Sequence, residues 1–496
     1  MNRPVPRLRC LTAALAFSLS AAQAASVQSS AEALGVAGLD SVSFSGNGNW
    51  YQFGQAPTPG RPWPAFDLLR YSADIDYLHA ASHVQHARKQ IIEPDRQRPA
   101  PTEQKADLFL SGGVAWNLGP APGGAPDSAP VPSLQAAAAE ERAAEIVSTP
   151  QGFLRAALSS NASEKTVGDH VEVSFSTDGR HHYAGTINAR SEVEQVQTWI
   201  DNPVTGDTLY QTRFSEYRDF GGLRFPSRIL RTEAGNPILD LKVAAVTRNA
   251  VPAITVPKDI VGAKAPAVAV NETKLAPGVW YLTGGTHHSV AIEQADHVVL
   301  VEAPLNEERS NAVIAKVREL APNKPIRFVI NTHVHFDHSG GLRTLVDEGA
   351  VVVTHDSNVP YYIQAWSAPR TLHPDRLSAS GRQSRFQSFT DKTVLTDGAH
   401  RIEIYPVAGN GHADGFALVY LPAEKILVEA DAWNPTASNA VPTGAPNPYT
   451  VNLYENIQKY KLDVAQIAAL HGPRLTTLAD LRVAIGQPEA AKQAAQ

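Results

Sequence analysis

Cysteine is nearly absent from this chain. Cys10 is the only one in 496 residues, and methionine also occurs once. Cys10 falls inside a segment with a basic start (Arg3, Arg7, Arg9), an apolar stretch from Leu11 to Ser20, and the small-residue sequence Ala22-Gln23-Ala24. That is the form of a signal peptide, residues 1–24, cut before Ala25, and it implies a periplasmic or secreted protein. Its apolar part is too short to span a bilayer. No lipobox-like context surrounds Cys10, which argues against a lipoprotein. The mature chain then has no thiol, which excludes disulfides, thiolate metal ligands and a cysteine nucleophile.

Basic runs are also missing. The formal charge is −6, and removal of the three leader arginines leaves 40 basic and 49 acidic residues. An enzyme acting on nucleic acid would need a basic face for phosphates, so the balance argues against a nucleic-acid partner. No Gly-x-Ser-x-Gly elbow occurs, so the chain lacks that form of serine nucleophile. Hydrophobic residues make up 43% and charged residues 19%, ordinary for a folded soluble protein of two to three domains.

Histidine, in contrast, is concentrated. His333-x-His335-x-Asp337-His338 puts four metal-ligand side chains into six residues. The apolar run Ile326 to Ile330 before it reads as a buried strand, and Ser339-Gly340-Gly341 after it as a helix opening. On an extended segment His333 and His335 point the same way, while Asp337 and His338 on the turn face a second point. A lone histidine on an apolar strand is usually a core or surface residue. Three with an aspartate at a strand end favour zinc or a similar transition metal. Three later residues sit where predicted strands stop: His412 after Arg401 to Tyr405, Asp431 after Ile426 to Ala430, and His471 after Ile467 to Leu470.

With these residues in order, roughly the last 230 residues resemble the metallo-β-lactamase-fold hydrolases. The resemblance implies a four-layer αβ/βα sandwich with metals at one edge of two sheets. It implies that His333, His335 and His412 hold one zinc, that Asp337, His338 and His471 hold a second, and that Asp431 bridges them. An acidic residue at the bridging position is similar to the lactonase and glyoxalase II branches, although Ala430 stands where many relatives have Gly. A hydroxide shared by two zinc ions would attack a small carbonyl substrate, an ester, lactone, lactam or thioester, with Asp337 as the catalytic proton shuttle. Iron or manganese could replace zinc. Thr332 and Asp414 are candidates to orient the ligating histidines. His287 and His288, in Gly284-Gly285-Thr286-His287-His288, are candidate substrate contacts, and a plain β-turn is the equal alternative. Residues 366–390 read equally as a lid and as a surface excursion.

The fold class expected is α/β for residues 265–496, preceded by a β-rich α+β region over residues 25–264. The Pro- and Val-rich stretch 251–268 reads as the linker. In the first region, Ser41 to Ser45 reads as a strand followed by a turn at Gly46-Asn47-Gly48. Leu134 to Ile146 reads as a helix, Pro120 to Pro132 as an exposed loop, and Tyr210 to Leu230 as a hairpin turning near Gly221-Gly222. Residues 25–264 resemble the antiparallel half-barrels of periplasmic lipoprotein-carrier proteins, with Asp219 to Pro226 part of the likeness. His79, His83 and His86, and the pair His181-His182, are tempting as metal sites; the first set has helical spacing, no fourth ligand is evident, and a solvated helix face is the better reading. Two other functions remain open at this point. One is iron-dependent thiol or persulfide oxidation at the same ligands; the other is a non-enzymatic ligand-binding envelope protein.

Overall fold

A computed structural model describes residues 25–121, 128–437 and 440–487. The expected signal segment and the middle of the Pro120 to Pro132 loop lie outside those residues. Among the described residues no helix is long and apolar enough to cross a membrane.

The amino-terminal region is an antiparallel sheet of thirteen strands. Its middle strand is Asn236–Arg248, paired with Ser41–Tyr51 on one side and Arg224–Glu233 on the other. Helices Ala139–Val147 and Pro150–Ser159 touch strands from both halves of the sheet, which wraps around them. Alternate apolar residues of the strands, such as Val42, Phe44, Val171 and Val173, join Phe153 and Leu154 of the second helix in one core.

Three expectations are corrected here. Gly46-Asn47-Gly48 is no turn; the strand runs through it from Ser41 to Tyr51. A Cβ on Gly46 would stand 2.1 Å from the Lys242 carbonyl oxygen, so the glycines allow close strand approach at a bulge. His83 and His86 lie on the strand Ala81–Gln90, and His79 lies in the turn before it, so there is no helix face. Four- and three-residue steps through a turn and a strand mimic helical spacing. The predicted helix from Leu134 begins later, at Ala139, because Val131–Leu134 forms a strand and a 3₁₀ turn intervenes.

Residues 249–270 carry no strand or α-helix. Beyond them, two sheets of seven and six strands lie face to face. Period-two alternation splits each strand between layers. Val279 and Tyr281 enter the core between the sheets, while Trp280 and Leu282 enter the core under the outer helices. Both faces are covered, so the strands read as continuous apolar runs. Glu307–Leu320, capped by the Asn306 side chain on the Arg309 N–H, and Leu342–Glu348 cover the first sheet. Pro448–Lys459 and Leu478–Ala484 pack against the second. This is an α/β sandwich, with His333, His412, Asp431 and His471 all just beyond strand ends.

The first part of residues 366–390 docks on the amino-terminal sheet, and the segment's end, Phe386–Phe389, is a strand of the seven-stranded sheet. Arg370, its side chain 3% exposed, donates to the carbonyls of Asn202, Pro203 and Val204 at 2.9–3.1 Å. The Asp207 carboxylate accepts from the Thr371 and Leu372 N–H groups. Trp366 stacks on Tyr362 and Phe386. The segment thus clamps the two regions together. Arg370→Ala would strip three carbonyls of their donor, at about 1–3 kcal/mol each. Scanning calorimetry should show the apparent Tm falling by about 5 °C or more. An unchanged Tm would contradict the clamp.

Candidate metal centre

The strand Ile326–Ile330 delivers its chain into residues 331–335, and the short helix Phe336–Ser339 follows. His333, His335 and His338 are buried, at 0–2% exposure. The loop after Arg401–Pro406 brings in His412, and the chain leaving Ile426–Glu429 brings in Asp431.

These groups converge on the Asp431 carboxylate. One oxygen lies 3.1 Å from His412 Nε2 and 3.8 Å from His333 Nε2. The other lies 3.2 Å from His338 Nε2. Ligand atoms of His333, His335, His412 and Asp431 all lie within 4.8 Å of one another, as do those of His287, Asp337 and His338. His471 is not in either group. It forms an isolated β-bridge with His287, the ring centroids 4.3 Å apart. The structure therefore brings His287 to the second cluster, where the resemblance implied His471, and sets His471 directly beside it. His288 does not join. Its Nε2 bonds the Gly472 carbonyl at 2.7 Å and its ring meets Tyr281 edge-on.

Hydrogen bonds around the cluster fix which ring nitrogen of His333, His335 and His338 is free. Glu302, fully buried, accepts from the Thr332 N–H and hydroxyl at 2.8 and 2.9 Å. With its proton committed there, the Thr332 hydroxyl accepts from His333 Nδ1 at 3.0 Å, which leaves Nε2 bare. Glu302 also accepts from His338 Nδ1 at 2.7 Å and from the Asn331 amide at 3.5 Å. His335 Nε2 donates to the Ala56 carbonyl at 3.1 Å. The remaining atoms, His333 Nε2, His335 Nδ1, His338 Nε2, His412 Nε2 and Asp431 Oδ1, are buried and make no hydrogen bond. Buried polar atoms are normally satisfied, so five unsatisfied ones converging on one place fit a divalent cation. Glu302 sits at φ 70°, a strained backbone held by these bonds.

Burial, helped by neighbouring histidines, pushes His335 down to about 3 and His333 well below the usual histidine value, so both rings are neutral, the form able to bind a cation. Burial opposes charge on His338, but Asp431 and Glu302 outweigh it and raise its pKa. Burial likewise opposes ionisation of Asp337, yet its His287 contact and the His338 charge hold it below the usual carboxylate range.

The amino-terminal region builds one wall of this site. Gln55 Nε2 donates to Asp337 Oδ1 at 2.8 Å, and the Phe336 N–H donates to the Gly54 carbonyl at 3.1 Å. A Cβ on Gly54 would meet the Phe336 ring at 2.6 Å. Asp414 bonds none of these histidines; it accepts from Thr58 and Arg96 and its N–H donates to the Pro57 carbonyl. Gln55, Ala56 and Glu302 escaped the sequence reading. Gln55 lies 282 positions from its partner, and no local pattern marks such a contact.

Residues 282–436 match the metallo-beta-lactamase superfamily family model. The matched stretch lies within the carboxy-terminal sandwich. A segment of 158 residues is 27% identical to 2,4-dinitroanisole O-demethylase subunit alpha of Nocardioides sp. (strain JS1661). It covers 31% of this chain and 43% of that relative, so the chain spans less than half the relative's length. Among solved structures, a metallo-beta-lactamase from Pontibacter korlensis is 19% identical with a TM-score of 0.33, over 44% of this chain and 98% of that one. One from Hirschia baltica is 19% identical with a TM-score of 0.34, over 45% and 99%. FIM-1 from Pseudomonas aeruginosa, in its mono-zinc form, is 20% identical with a TM-score of 0.34, over 44% and 95%.

Gln55→Leu keeps the side-chain bulk and removes the amide. Competition with a chelating dye should show metal affinity falling about 10–100-fold, the usual loss when an outer-shell partner of a ligand is removed. Affinity equal to that of the unaltered chain would mean the amino-terminal loop merely covers the site.

Proposed function

We propose that this protein is an exported, dinuclear zinc hydrolase of small carbonyl substrates. The observation that carries the reading is the set of five buried, unpaired ligand atoms around Asp431. His333, His335 and His412 would hold one ion. His338 and Asp337, with His287 or His471, would hold the other, and Asp431 would serve both. A bound zinc pair supplies a Lewis acid for a carbonyl oxygen and lowers the pKa of water to about 7.

The protein's own groups do the rest. Asp337, ionised and held from two sides by Gln55 and His287, can orient the attacking water and relay its proton to the leaving atom. The Glu302 carboxylate keeps His338 and, through Thr332, His333 in the ligating tautomer. Beside His412 and Asp431 opens a groove of about 410 Å³ walled by Trp433, Tyr449 and Arg474. Its aromatic walls can hold an apolar acyl part, and the Arg474 guanidinium an anionic group.

The name of the Nocardioides relative raises a second reading, hydrolytic removal of a methyl group from an activated aryl ether. Both readings use one preparation. Full-length protein is expressed with its leader, and the mature mass should correspond to a chain starting at Ala25. The zinc-loaded product is then assayed against a lactam, an aryl ester, an acyl lactone, a glutathione thioester and a nitroanisole. One carbonyl class should turn over, and His335→Ala should lower kcat/KM at least about 100-fold. Turnover of the nitroanisole alone would replace the carbonyl reading. Turnover of none, with two zinc ions bound, would refute both.

A further inference from the structure

A second cavity, of about 690 Å³, opens in the amino-terminal sheet, with Asn306 and His373 of the carboxy-terminal region at its edge, apart from the metal centre. That size suits a small organic ligand. Its apolar wall comes from Trp50, Val84, Leu108, Ile200 and Ile238. Its polar end is acidic: Glu141 and Glu145 from the helix Ala139–Val147 face Glu233 from the strand Arg224–Glu233.

These carboxylates are unequally served. Glu145 bonds Arg231 and accepts from the Tyr210 hydroxyl at 3.3 Å. Glu141 and Glu233 accept no hydrogen bond and form no ion pair with any described residue, and Glu233 is only 6% exposed. A buried carboxylate without a partner is costly. Here burial and the neighbouring carboxylates push Glu141 up to about 7 and Glu233 well above the usual carboxylate value. Arg231, the one arginine lining the cavity, is already engaged by Glu145. Glu140 at the rim bonds His181. His86, also on the wall, is pushed down to about 4 by burial and by Arg88, and so adds no charge.

The three carboxylates do not form one of the groups whose ligand atoms converge within 4.8 Å. A bare metal ion, which needs closely gathered oxygens, fits poorly. A larger cation with N–H donors spread over its head would reach Glu141 and Glu233 together, and an apolar body would lie against Trp50 and Ile238.

We propose that this cavity binds an organic amine: an apolar chain or ring carrying a protonated nitrogen, the nitrogen held by Glu141 and Glu233. The site is independent of the hydrolytic reading, since none of these side chains touches the metal cluster.

The test is calorimetric titration of the full chain at pH 8 with octylamine, octanol and octanoate, which share a chain and differ in head group. One octylamine should bind per chain, at least about tenfold tighter than octanol, because the ion pair adds to the apolar contact. Octanoate should not bind, being repelled by the acidic end. Glu233→Gln should weaken octylamine about tenfold or more and leave octanol unchanged. Ile238→Trp fills the apolar part without touching the carboxylates, and should weaken both. Octanoate binding as well as the amine would overturn the proposal. So would an amine affinity indifferent to Glu233→Gln and to Ile238→Trp, or no uptake of the amine at all.

Discussion

A carboxylate buried among histidines is the constraint on which the site depends. Asp431 is 11% exposed and faces His333, His338 and His412 at 3.1–3.8 Å. Left alone, this arrangement is expensive, because burial disfavours both the ion and the bare ring nitrogens. A cation at the centre would answer all of these atoms at once. Glu302 exists in this frame to fix tautomers from behind, and its strained backbone is the cost of putting a carboxylate there.

The second consequence concerns the amino-terminal region. It is more than an appendage, because its loop supplies Gln55 to Asp337 and the Ala56 carbonyl to His335. Arg370 and Asp207 tie the far side of the same interface. Few routes are then left for the loop to withdraw without breaking contacts to the ligands. The carboxy-terminal sandwich positions the ligands, and the amino-terminal sheet helps to aim them.

Much of the carboxy-terminal fold was legible because local signals agreed with global ones. The helices Glu307–Leu320 and Leu342–Glu348 have helical apolar spacing, and their strands are buried on both faces. The cluster from His333 to His338 was legible because ligand types crowd into one strand end. His287 was harder to place, since a Gly-Gly-Thr-His-His turn reads equally as punctuation. Gly46-Asn47-Gly48 misled because a glycine that permits strand approach has the same letters as a turn. The contact of Gln55 with Asp337 had no local trace, because it exists only once two regions pack. The same holds for the docking of residues 366–390, where Arg370 finds its partners 166–168 positions away.

The central claim is that two ions share Asp431, one of them held by His335 through Nδ1. Anomalous diffraction at the zinc edge from crystals of the purified full chain tests it most directly. The account predicts two peaks flanking Asp431, one within bonding distance of His333, His335 and His412, with the Ala56 carbonyl still on His335 Nε2. Crystals showing no zinc at Asp431, or His335 turned so that Nε2 meets the ion and Ala56 is released, would contradict it.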